Sequence, residues 1–228
     1  MFVGHYGVSF AAKSVKRSVP LWVWFIASQW LDVVWSILIL MGVEKVRIVP
    51  GFTQANAYDL YYMPYTHSLL GAVALSVILG LVVSLWISGN RLSTFLLVVA
   101  VSFSHWILDL IVHVPDLPLY DNSEKVGFSL WRHVMVSFPL ELIILGLGSW
   151  LYARIQTFAS SRARGLFWGF VAILVALQAF LNFGPPPPSP SAMGLMTITI
   201  YAVLALLAAG VERFANRAIA VPERAAGT

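Results

Sequence analysis

The chain has 228 residues, 59% hydrophobic and only 11% charged, with a formal net charge of +4 at pH 7. Soluble domains carry about 25% charged residues, so a water-covered surface is excluded and an integral membrane protein is expected. The absence of cysteine excludes disulfides, thiolate metal sites and cysteine nucleophiles, and no basic run is long enough to suggest a nucleic-acid surface.

Residues 1–19 carry Lys13, Lys16 and Arg17 ahead of an apolar run, which imitates a signal peptide. That run is too long, contains Asp32 and lacks a small-residue cleavage site, so it is read as an uncleaved anchor. Six runs approach the roughly 20 residues that span a bilayer: 21–43, 68–88, 92–114, 134–152, 165–183 and 193–211. The expected fold is an all-α polytopic bundle of about six transmembrane helices, with an amino-terminal helix that re-enters the membrane. Residues 1–154 are expected to form the site-bearing bundle, and 155–228 two accessory helices with a short polar tail from Glu212.

Lys and Arg asymmetry sets orientation. Lys13, Lys16, Arg17, Arg91, Arg154, Arg162, Arg164, Arg213, Arg217 and Arg224 fall on one side, against Lys45, Arg47, Lys125 and Arg132. Both tails are therefore expected in the cytoplasm, and loops 44–67 and 115–133 outside. Gly80, Gly146 and Gly148 are expected to permit close helix packing.

The chemistry concentrates in Ser104-His105-Trp106-Ile107-Leu108-Asp109-Leu110-Ile111-Val112-His113, where a spacing of four and four puts two imidazoles and a carboxylate on one helical face. Ionisable groups at membrane depth cost a few kcal/mol or more and usually serve a function. At 1.5 Å per residue from the proposed inner turns, His5, Asp32 and His105 lie about 20 Å deep and Asp109 about 27 Å. Glu141 falls at roughly the same depth, and His67 at the outer mouth of the second span. The fifth and sixth spans contribute no ionisable group to this layer. Two histidines and two carboxylates from different helices offer nitrogen and oxygen donors suited to Zn²⁺, or to Mn²⁺ or Fe²⁺, and His105 with Asp109 can grip one ion from a single helical face. An ion with an open position lowers the pKa of water to about 7. Glu141 or Asp109 would then move the proton.

Gly4-His5, an Asp in the first span, Thr66-His67-Ser68-Leu69-Leu70 and Ser104-His105-Trp106-Ile107-Leu108-Asp109 resemble a bacterial inner-membrane family, the YdjM-like membrane-bound metal-dependent hydrolases. The resemblance covers about residues 1–119, with looser similarity into the fourth span. It implies that His5, Asp32, His67, His105 and Asp109 bind metal, and that the chain sits in a bacterial inner membrane. This chain departs from the family pattern in two places. Val34 stands where members often have a second Asp, and Met63-Pro64-Tyr65 where they often have His-Arg-Gly.

The plainer readings are specific too. His105 with Asp109, and Asp32 with Gln29, can stitch helices together by hydrogen bonds. His113 and Asp116 are expected at the surface, His133 at the interface, and Glu141 either in the site or in a helix-bridging bond. Ser68 and Ser104 adjoin histidines, but adjacency in sequence does not make a triad.

The leading expectation is a metal-dependent hydrolase of an ester or phosphoester, with membrane lipids or a lipid-linked substrate as partners. One rival is a proton- or cation-coupled transporter, which usually shows repeats or broken helices near the midplane; the sequence reads as having neither. The other is a haem protein with His105 and His67 as axial ligands.

Overall fold

The computed structural model describes residues 1–87 and 89–216. Arg217, Arg224 and the rest of the tail, counted above in the charge asymmetry, lie outside the described residues. The architecture is an all-α bundle. Its helices are α1 (Val3–Val15), α2 (Leu21–Ser28), α3 (Trp30–Leu40), α4 (Leu69–Trp86), α5 (Arg91–Val112), α6 (Val134–Ile155), α7 (Ser161–Phe183) and α8 (Pro190–Asn216). Helices α4 to α8 are each long and apolar enough to cross a membrane, and the bent pair α2–α3 counts as a sixth span. Leu81, Val82 and Leu85 on α4, Ile143 and Leu147 on α6, and Leu206 on α8 are exposed. An apolar surface of this extent suits lipid, and the helices fit a multi-pass membrane protein.

The first span differs from the expected single helix. It breaks at Gln29, with a bend of 58° between α2 and α3. Gln29 leaves helical geometry (φ −107°, ψ 10°), and its buried side chain donates from Nε2 to the carbonyl of Phe2 at 3.1 Å. The reading that the sequence holds no broken helix is thereby corrected. The break needs no proline or glycine because side chains from neighbouring helices reach the carbonyls of α2, Ser9 Oγ that of Trp24 at 3.0 Å and His105 Nδ1 that of Ser28 at 2.8 Å.

Helix α1, 13 residues long, lies buried against α6, α2 and α5. Its close approach to α6 runs through glycine. A Cβ on Gly148 would fall 1.9 Å from the Gly7 carbonyl oxygen, and one on Gly7 would fall 2.3 Å from that of Ile144. Only two facing glycines let backbones come this near. Gly80 similarly admits Val99 and Phe95 of α5, but nothing lies within 4 Å of a Cβ on Gly146, so that glycine has no packing role.

An aromatic cluster of Phe10, Phe25, Tyr152, Phe167 and Phe170 fills the space between α1, α2, α6 and α7. At the end of the bundle carrying the α1–α2 turn, the Lys13 ammonium pairs with Glu212 and donates to the carbonyls of Arg17 (2.6 Å) and Val19 (2.9 Å). Glu212 also accepts from the first backbone N–H of α2, Leu21 N, at 2.7 Å. It belongs to α8, which corrects the expectation of a polar tail beginning there.

At the opposite end, two antiparallel hairpins occupy segments expected to be loops. Strands β1 (Lys45–Ile48) and β2 (Tyr58–Tyr62) form one, and β3 (Leu117–Tyr120) and β4 (Ser123–Val126) the other. Each pair of short strands satisfies its own backbone groups above the helices.

Candidate metal centre

The expected ligands converge. Asp32 Oδ1 lies 3.2 Å from His67 Nε2 and 3.6 Å from His105 Nε2. Asp109 Oδ2 lies 3.0 Å from His105 Nε2 and 3.8 Å from His67 Nε2, while Asp109 Oδ1 lies 3.2 Å from His5 Nε2. The α-amino group of Met1 also contacts Asp109 Oδ1. Two overlapping sets place their donor atoms within 4.8 Å of one another: His5, His105 and Asp109, and Asp32, His67 and His105. Ligands held 2.0–2.1 Å from a tetrahedral ion lie roughly 3.3–3.4 Å apart, so these edges match the size of a coordination shell. These buried His and Asp groups fit a metal ion.

The local folding explains how. His67 immediately precedes Ser68, whose side chain caps α4 by accepting from Gly71 N. The cap pins the start of the helix and therefore His67. His105 and Asp109 are one turn apart on α5, and Asp32 lies in the first turn of α3, just after the break. His5, on α1, stacks its ring on His105 with centroids 3.9 Å apart and planes within 6°.

The outward nitrogens decide the inward ones. His105 Nδ1 faces the Ser28 carbonyl at 2.8 Å, and a carbonyl only accepts, so Nδ1 carries the hydrogen. Thr66 Oγ1 gives its hydrogen to Glu44 Oε2 at 2.5 Å and therefore accepts from His67 Nδ1 at 2.8 Å. Glu44 in turn accepts from the backbone N–H groups of Tyr65 and Thr66 at 2.8 and 3.0 Å. In both neutral rings Nε2 is then a lone pair aimed at carboxylate oxygens. Lone pair against lone pair is repulsive unless a proton or a metal ion lies between, and anchored Nδ1–H groups behind inward Nε2 atoms are the usual outer support of metal-binding histidines.

Two residues expected at the surface are buried instead. His113 is 3% exposed and Asp116 7%. The hairpin β3–β4 and Trp131 fold over them, with the Trp131 ring 4.1 Å from that of His113. His133 is exposed, as expected of an interfacial residue.

Glu141 bridges helices and also lines the cavity described below. Its Oε2 accepts from Phe2 N (2.7 Å) and Gly4 N (3.4 Å) at the start of α1, and Oε1 from Gln178 Nε2 at 3.2 Å. A carboxylate there satisfies the unpaired amides of a helix N-terminus. Helices α7 and α8, read as accessory, reach the centre through Gln178 and through Tyr201, whose hydroxyl donates to Asp32 Oδ2 at 2.5 Å. Scanning for charge passes over such residues because Gln and Tyr are unremarkable in apolar helices.

Asp32, His67, Asp109, His113 and Glu141 line a cavity of about 120 Å³, enough for several waters. Its walls are largely apolar, with Phe2, Leu181, Met193, Met196 and Ile200 facing inward. Asn56, Tyr58 and Trp131 form its rim at the end bearing the hairpins. Burial holds the Tyr58 hydroxyl above its ordinary pKa, so it stays a protonated donor.

Haem ligation does not fit. His67 and His105 both direct Nε2 at Asp32 and Asp109, and these carboxylates fill the slot a macrocycle would need. The serines serve the backbone: Ser68 donates to Pro64 O and Ser104 to Val101 O. No family model, no curated protein and no solved structure matches this chain.

Proposed function

We propose that the His/Asp centre holds a divalent cation and that the protein is a membrane-embedded hydrolase of an ester or phosphoester in an amphiphilic substrate. The observation that carries this reading is a set of imidazole Nε2 atoms turned inward onto two carboxylates at the floor of an apolar cavity. A cation there supplies Lewis acidity and a water made acidic enough to act near neutral pH. The chain's own groups do the rest. Tyr201 orients Asp32, Asp109 joins the two halves of the centre, and Glu141, which lines the cavity, receives or returns the proton. Nitrogen and oxygen donors favour Zn²⁺, with Mn²⁺ or Fe²⁺ as alternatives. Apolar walls beside a polar floor suit a lipid or lipid-linked substrate with its headgroup at the metal. The proposed setting is a bacterial inner membrane with a cytoplasmic carboxyl terminus and the cavity opening outward, in keeping with the Lys and Arg asymmetry and the family resemblance.

The test is metal content of detergent-purified protein, followed by hydrolysis of a panel of phospholipids and lipid phosphates. Wild type is expected to carry tightly bound metal and to release phosphate or fatty acid; His67→Ala and Asp109→Ala are expected to lose both. Wild-type protein that stays metal-free after incubation with Zn²⁺ and Mn²⁺ would overturn the reading.

One observation favours a transporter instead: the 58° break beside Asp32. Interrupted helices near the midplane build ion sites in secondary transporters. Metal-dependent proton movement into proteoliposomes, without any hydrolysis, would select that reading.

A further inference from the structure

We propose that the centre takes two cations bridged by Asp109, and that His113 is a ligand of the one facing the cavity. The inference rests on the metal reading above and deepens it. His105 has only one nitrogen facing inward, because Nδ1 is committed to Ser28. It therefore serves one ion, although it belongs to both overlapping ligand sets. If it pairs with His5 around Asp109, the set containing Asp32 and His67 lacks a donor.

His113 fills that place. It follows Asp109 by four residues, continuing the stripe of His105 and Asp109, and its Nε2 lies 3.6 Å from Asp109 Oδ2. Its Nδ1 is 2.8 Å from Asp116 Oδ1, which only accepts, so Nδ1 carries the hydrogen and a neutral ring turns its Nε2 lone pair inward. A carboxylate behind a histidine is the arrangement that fixes metal-binding imidazoles. The division is also spatial. Asp32, His67, Asp109 and His113 line the cavity, whereas His5 and His105 lie behind it. Asp109 sits between the groups, with Oδ1 toward His5 and Oδ2 within 3.0–3.8 Å of the other three imidazoles. Paired ions about 3.5–4 Å apart clamp both the attacking and leaving oxygens of a displacement, which suits phosphoester hydrolysis.

Full-length protein in detergent, loaded with MnCl₂ or ZnCl₂ and then desalted, tests this by metal counting and, for Mn²⁺, by electron paramagnetic resonance. Wild type is expected to retain two ions per chain with an exchange-coupled Mn²⁺ spectrum. His113→Ala is expected to retain one and to show an isolated six-line signal. Asp116→Asn, which preserves shape, is expected to weaken one of the two ions about tenfold, so the assignment does not rest on a variant that must survive losing a buried imidazole.

One ion per chain in wild type, unchanged in His113→Ala, would overturn the pair and leave the single-cation reading standing; His113 is then an imidazolium held between Asp109 and Asp116. Two ions kept in both variants would overturn His113 as a ligand. No bound ion in wild type would overturn this proposal together with the reading beneath it.

Discussion

His105 donates from Nδ1 to the carbonyl of Ser28, 2.8 Å away, at the point where the chain breaks between α2 and α3. In a continuous helix that carbonyl would accept from the N–H four residues on. The break releases it, and α5 uses it to set which imidazole nitrogen faces the carboxylates. A local defect in one span thus orients a ligand on another.

The same support stands behind His67, through Thr66 and Glu44. Thr66→Val keeps the shape and removes the hydroxyl. Metal affinity is expected to fall about 10–100-fold, measured by competition with a chromogenic chelator. Unchanged affinity would show that Thr66 only caps the loop.

Tyr201→Phe removes a hydroxyl that donates to Asp32 Oδ2. A hydrogen bond to a charged group contributes about 1.5–3 kcal/mol, so metal affinity or stability is expected to drop on that scale. Isothermal titration with Mn²⁺ and a melting curve separate the two. A variant identical to wild type in both would remove α8 from the centre.

Two glycines on one helix are expected to respond oppositely. Gly148→Ala drives a methyl into the Gly7 backbone, and forcing α1 off α6 is expected to cost about 1–3 kcal/mol or more. It should also disturb His5 and the metal. Gly146→Ala meets open space and is expected to gain about 0.5–1 kcal/mol, the usual difference between Ala and Gly within a helix. Thermal unfolding in one detergent compares them directly.

The buried Lys13–Glu212 pair ties α1, α2 and α8 together. Removing one partner strands the other charge, with an expected loss of about 3–5 kcal/mol. Lys13→Met and Glu212→Gln should each lower the unfolding midpoint, and the double variant should recover part of the loss. Metal content should stay at the wild-type level wherever the protein remains folded, since this end of the bundle is remote from the centre.

Much of the fold was legible without coordinates, because runs of apolar residues near 20 long have one solution in lipid. The spans expected at 68–88 and 92–114 correspond to Leu69–Trp86 and Arg91–Val112. The convergence of His5, Asp32, His67, His105 and Asp109 followed from depth counting on separate helices. His113 and Asp116 were misplaced because a count of residues from the membrane face places a side chain at a depth and says nothing of the hairpin folded above it. Gln29 concealed the break because glutamine carries no intrinsic signal for one; only its bond to Phe2 reveals it.

By itself the sequence determined the class of molecule, the approximate positions of the long apolar helices, and the residue types able to gather at one depth. Those follow from hydropathy and helical spacing, which act along the chain. The tertiary structure decided which nitrogen of each imidazole points inward, that Asp109 sits among four of them, and that Glu141 spends its oxygens on α1 and Gln178. It also brought Gln178 and Tyr201 to the centre from helices without an ionisable ligand. These outcomes depend on hydrogen bonds between segments far apart in the chain, and no local pattern encodes such partners.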